Sequence, residues 1–128
     1  MTENRPSTRL LVVDDSVDIL DSLQLVLDDM GYATDTACSG RLALERVRAA
    51  DYGLVLCDVG MPEMNGWQVA REIRVLAPKT KVFLLTGVAD QIEADDPRLG
   101  AVHGVLPKPI ELDWLERFLG EQLPAEAA

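Results

Sequence analysis

Three aspartates, a threonine and a lysine hold most of the chemistry this chain can do. Asp14 and Asp15 follow the apolar run Leu10 to Val13, and Asp58 follows Leu54 to Cys57. Thr86 closes the run VFLLT, and Lys108 stands just past Gly104 to Leu106. Short apolar runs of this kind suit strands buried on both faces of a parallel sheet. If they are such strands, all five polar side chains stand at carboxyl ends, the edge where open α/β sheets bind ligands.

A carboxylate pair at a helix N-terminus is a common stabilising arrangement and accounts for Asp14 and Asp15 alone. It does not explain a third acid ending another strand. Three carboxylates converging in one cleft repel, and each raises the others' pKa unless a cation neutralises them. A hard divalent ion meets that need, and Mg²⁺ takes one or two carboxylates, keeps several waters and shares a substrate phosphate. Lys108 offers a mobile ammonium for an anion, and Thr86 a hydroxyl that can donate to a phosphoryl oxygen. The role left for Asp58 is nucleophilic attack on phosphorus, which yields an acyl phosphate.

The elements that must position these residues alternate along the chain. Residues 1–8 are polar, contain Pro6 and read as a disordered lead-in. After the first strand, Ser16 is an N-cap and Ile19, Leu23, Val26, Leu27 and Met30 recur on one helical face, closed by Gly31. Ala33 to Cys38 reads as a second strand, and 39–50 as a helix burying Leu42, Ala43 and Val47. Behind Asp58, the turn residues Gly60, Pro62 and Gly66 lift the chain out of the sheet. Asn65 opens a third helix with Trp67, Val69, Ala70, Ile73, Val75 and Leu76 as apolar positions, stopped near Pro78. Lys81 to Thr86 is a fourth strand. Pro97 and the acids Glu93, Asp95 and Asp96 spoil the helical pattern of 88–100. Gly104 to Leu106 is a fifth strand, and Leu112, Leu115, Phe118 and Leu119 mark a last helix. The tail LPAEAA has nothing to bury. The pattern predicts an α/β fold, a three-layer sandwich around a five-stranded parallel sheet, with one domain over 9–123 and a tail at 124–128.

Composition narrows the function classes. Twelve Lys and Arg against 22 Asp and Glu give a net charge of −10, which disfavours nucleic acid or an anionic membrane as direct partner. No apolar run reaches membrane-spanning length, and the first residues lack the apolar core of a signal peptide, so the expected compartment is the cytoplasm. Two cysteines, Cys38 and Cys57, have no ligand-like spacing with His103, the one histidine. Both are expected to be reduced core residues, and His103 a solvated loop residue.

Four segments, VVDDS at 12–16, DVGMPEMNG at 58–66, LLTG at 84–87 and PKP at 107–109, resemble the receiver domain of bacterial two-component response regulators. The likeness runs from about Arg9 to Leu123, as in the single-domain, chemotaxis-receiver-like members. It implies a doubly wound, flavodoxin-like sheet of order 2-1-3-4-5, in which Cys38 and Cys57 do not pair. It implies Asp58 as phosphoacceptor, Mg²⁺ held by Asp14, Asp15, Asp58 and the Gly60 carbonyl, and Thr86 and Lys108 on the phosphoryl group. The implied donor is a phosphohistidine on a sensor histidine kinase or a phosphotransfer protein. With no output domain after residue 123, signalling is expected through docking to a downstream partner.

Some positions depart from the family pattern. Val105 stands where Tyr or Phe is usual, so no ring can report movement of Thr86. Pro107 is tolerable on an edge strand, Pro109 is expected to follow a cis peptide, and the fourth helix should be short or irregular. Gly60 and Val88 occupy positions that tend to orient or obstruct the hydrolytic water, and neither side chain can hydrogen-bond one. A small aspartyl-nucleophile phosphatase is a competing reading, but it wants its nucleophile after the first strand and a substrate cap. A flavodoxin-like binding module is another, though the chain lacks a Ser/Thr/Gly-rich phosphate loop there.

Overall fold

A computed structural model describes residues 8–123; residues 1–7 of the predicted lead-in at 1–8, and the tail at 124–128, lie outside the described residues. Five strands, β1 (Leu10–Val13), β2 (Thr34–Ala37), β3 (Leu54–Asp58), β4 (Lys81–Thr86) and β5 (Gly104–Pro107), form one parallel sheet of order β2-β1-β3-β4-β5. Four helices cover it: α1 (Val17–Asp29), α2 (Gly40–Ala49), α3 (Gly66–Leu76) and α4 (Leu112–Gln122).

The continuous apolar runs are required because each central strand buries both faces. Leu11, Val13, Val55, Cys57, Val82 and Leu84 point to the α2 and α3 side, where they meet Ala43, Val47, Val69 and Ile73. Leu10, Val12, Leu54, Leu56, Phe83 and Leu85 point to the α1 and α4 side, against Leu20, Leu27, Leu115 and Leu119. Each leucine so buried contributes about 1.5–3 kcal/mol relative to exposure. β5 lies at an edge, where Pro107 has only one strand neighbour to satisfy.

The helix starts follow the sequence signals. Ser16 caps α1 through the Ile19 N–H, and Ser39 caps α2 through the Leu42 N–H. Asn65 and Gln68 form a reciprocal capping box at the start of α3. Gly31, at φ +100°, closes α1 in a conformation that suits glycine.

Several expectations are corrected. Ile19 is 41% exposed and Leu20 faces the core instead, about 100° round the helix. On α2 the buried leucine is Leu44, with Leu42 only partly covered. Val75, at 79% exposure, and Leu76 lie off the buried face of α3, and Leu112 is half exposed at the start of α4. Leu123, assigned to a tail with nothing to bury, is in the core. Cys57 is buried, whereas Cys38 is exposed at the end of β2, so only one cysteine is a core residue; both are free. His103 is exposed but not merely solvated, because its Nδ1 accepts the Val82 N–H.

The weak helical signal after β4 is real. Between Thr86 and β5 there are only two 3₁₀ turns, Ala89–Gln91 and Pro97–Ala101. Asp96 caps the second, and Pro97 takes a first-turn position where its missing N–H costs little. This segment is fastened to α3: Arg74 donates to the Gly100 carbonyl at 2.8 Å, and the Arg98 guanidinium lies 4.4 Å from the centre of the Trp67 ring.

Gly66 is the tightest point behind β3. A Cβ there would stand 2.5 Å from the Asp58 carbonyl oxygen and 2.9 Å from the Val59 Cα, whereas a Cβ on Gly60 would meet nothing within 4 Å. Gly66→Ala should therefore destabilise the fold by about 2–3 kcal/mol in urea unfolding, while Gly60→Ala should change it by less than about 0.5 kcal/mol. Equal effects of the two would contradict this packing.

Candidate functional site

β1 ends in the Asp14–Asp15 turn. Asp14 is 3% exposed, and its Oδ1 accepts the Ser16 N–H at 2.9 Å, which fixes the carboxylate as α1 begins. Asp15 is exposed. Asp58 is the last residue of β3 and is 8% exposed. Its aim is set from behind, because the Val59 carbonyl accepts both the Met61 and Gly66 N–H groups and the Val59 N–H donates to the Leu85 carbonyl. Thr86 ends β4, and its Oγ1 accepts the Val88 N–H at 3.2 Å, which leaves its own proton free to donate.

Lys108 leaves the end of β5, its N–H bonded to the Thr86 carbonyl at 3.0 Å, ahead of the cis Lys108–Pro109 peptide. Its Nζ donates to Asp58 Oδ1 at 2.6 Å and lies 3.6 Å from Asp14 Oδ2. Asp14, Asp15 and Asp58 each bring a carboxylate oxygen within 4.8 Å of the others. The sheet edge thus brings together the three acids and Lys108, and places Thr86 next to Lys108 on the neighbouring strand. Gly60 lies exposed two residues beyond Asp58.

The electrostatics are uneven. Burial raises the Asp14 pKa; the Ser16 N–H opposes this, Asp58 and Asp15 add to it and Lys108 subtracts. Burial works against the Lys108 ammonium too, but the hydrogen bond and charge of Asp58, with Asp14 behind, hold its pKa above the ordinary lysine value. Burial, with Asp58 and Asp14 nearby, pushes the Cys57 thiol so far up that it is no nucleophile at neutral pH. Three carboxylates against one ammonium leave two negative charges in an oxygen-only pocket. Those donors and that charge fit Mg²⁺.

The comparisons with known proteins show the family. The model of the response regulator receiver domain family matches residues 10–119. The chain belongs to that family. It is 38% identical over 114 residues to the transcriptional regulatory protein ZraR of Escherichia coli K12, covering 89% of this chain and 26% of that one. The chain therefore spans about a quarter of that relative's length. Among solved structures, the response regulator TrrA of Thermotoga maritima, in complex with Mg²⁺-BeF, shares 33% identity at a TM-score of 0.81, covering 91% of this chain and all of that one. TrrA in complex with the histidine kinase ThkA matches at a TM-score of 0.79 with 33% identity, over 91% of this chain and 99% of that one.

Two contributors escaped the sequence. The Val88 N–H on Thr86 and the Val59 carbonyl behind Asp58 are backbone groups, and residue type carries no signal for them.

Asp14→Asn keeps the acceptor for Ser16 while removing one repelling charge. Without divalent cations its Tm should lie roughly 4 °C above wild type, the shift that about 1 kcal/mol gives in a domain of this size. Millimolar Mg²⁺ should raise the Tm of wild type and leave the variant nearly unmoved. Equal Mg²⁺ responses in thermal melts would contradict a metal site at Asp14.

Proposed function

We propose that Asp58 accepts a phosphoryl group from a phosphohistidine on a sensor histidine kinase or histidine phosphotransfer protein. The observation that carries this reading is the Asp58 carboxylate, nearly buried at a strand end, held 2.6 Å from Lys108 beside two further acids. The complexes of the similar TrrA, one with Mg²⁺-BeF and one with a histidine kinase, support it.

In this reading an Asp58 oxygen attacks phosphorus, the bond from phosphorus to the donor imidazole nitrogen breaks, and the imidazole leaves with the electron pair and takes up a proton. Lys108 turns from the carboxylate to a phosphoryl oxygen, and the Thr86 hydroxyl donates to another. Asp14, Asp15, Asp58 and the Gly60 carbonyl would hold Mg²⁺, and the bound ion would offset the charge of the transferred group. The domain catalyses only its own aspartyl phosphorylation and dephosphorylation.

Val105 has no ring to move, so the change is carried by Thr86, Lys108 and the backbone from Gly87 to Asp90, a segment that holds no α-helix. The phosphorylated domain then signals in the cytoplasm by docking to an output protein. Gly60 and Val88 are both exposed and offer no side-chain hydrogen bond to a water, which makes the acyl phosphate long-lived.

Incubation with acetyl phosphate and Mg²⁺ tests this by intact mass. Wild type should gain one phosphoryl group that is lost at high pH, Asp58→Ala none, and Lys108→Met should load about a hundredfold more slowly. After donor removal, Gly60→Asn and Val88→Glu should each lose the group about tenfold faster than wild type. An adduct persisting in Asp58→Ala would sink the assignment.

A further inference from the structure

His103 lies at the far end of β5 from Lys108, and it joins β4 twice. Its N–H donates to the Val82 carbonyl at 2.8 Å, and its Nδ1 accepts the Val82 N–H at 3.1 Å. Val82 lies one residue before the first β4–β5 pair, Phe83 with Gly104, so the imidazole extends the ladder where no strand residue does. Val82 is 2% exposed, and the ring gives its N–H a partner. To accept there, Nδ1 must carry no proton, which makes the ring neutral with its proton on Nε2. A protonated ring would turn N–H against N–H and strand a buried donor.

The groups around the ring do not favour protonation. Arg74 of α3 and Lys81 of β4 are the charges that act on it, and both are cations. Phe83, with its ring centre 6.1 Å away, and Ala101 of the second 3₁₀ turn are apolar. β5 is the edge strand, so β4 is the one strand that holds it.

We infer that His103 is a pH-sensitive latch: neutral, it fastens the start of β5 to β4, and protonated, it releases that end. The strand it releases is the one that delivers Lys108. Burial first, then Arg74 and Lys81, lower the folded-state pKa below the ordinary 6.5. A histidine whose folded pKa is lowered contributes stability that is complete above 6.5 and is lost as pH falls through the folded value.

The test uses the whole chain, with imidazole ¹⁵N spectra and amide exchange from pH 8 to pH 5. The Nε2–H tautomer should be present at pH 8, with a titration midpoint below 6.5. As pH falls through that midpoint, the Val82 and His103 amides should lose about tenfold in protection relative to Leu84, after correction for intrinsic exchange. His103→Asn places an amide oxygen near the Nδ1 position without titrating, so its protection should stay constant. His103→Phe should be unlatched at every pH. A midpoint at or above 6.5, an Nδ1–H tautomer, or a pH dependence that survives in His103→Asn would overturn the inference.

Discussion

The ion pair between Lys108 and Asp58, with Asp14 a further 1 Å out from the same ammonium, is the constraint on which the structure turns. Nearly buried carboxylates without a partner would be costly, and here one cation serves two of them while a third stands beside. That cluster forms only if three separate chain segments, the ends of β1, β3 and β5, meet within a few ångströms of each other. The parallel register does this: Val13 is level with Cys57, Cys57 with Leu84, and Thr86 with Pro107. A slip of one residue on any strand would turn its buried side chains to the opposite face and carry its terminal polar group away from the pocket.

The two cores serve that register. Because each central strand alternates its apolar side chains between the α2–α3 layer and the α1–α4 layer, neither face tolerates displacement. Gly66 adds a local constraint, since the close return of α3 against the Asp58 backbone leaves no room for a side chain. The region after β4 is built differently. Two 3₁₀ turns, held by Arg74, Arg98 and Trp67 and by the partly buried Ile92, Leu99 and Val102, replace a helix, so the surface next to Thr86 is not a packed helical face. Such a segment has a lower cost of rearrangement than the core, which suits the response to Thr86 proposed for it.

Much of this was legible in the sequence because strand ends and turn residues are local signals. The five strands, the helix starts at Ser16 and Asn65, the Gly31 stop and the missing helical pattern near Pro97 all followed from residue type and spacing. The meeting of Asp14, Asp15, Asp58 and Lys108 followed from assuming a parallel sheet. What was not legible depends on rotation about helix axes and on the backbone. Ile19 and Leu20 are both apolar, and only packing decides which one faces the core. Leu123 belongs to the core because α4 brings it back to the sheet. The role of His103 rests on the Val82 N–H, and a backbone donor has no signature in the side-chain alphabet.

The central claim is that the cation-poor acid cluster directs phosphoryl transfer to one carboxylate among three. Borohydride reduction of the phosphorylated protein tests it most directly, because an aspartyl phosphate is reduced to homoserine while a free carboxylate is not. Peptide mapping by tandem mass spectrometry then locates the change. Homoserine at position 58, with Asp14 and Asp15 intact, is the result the account predicts. Homoserine at position 14 or 15, or spread over the three, would contradict it.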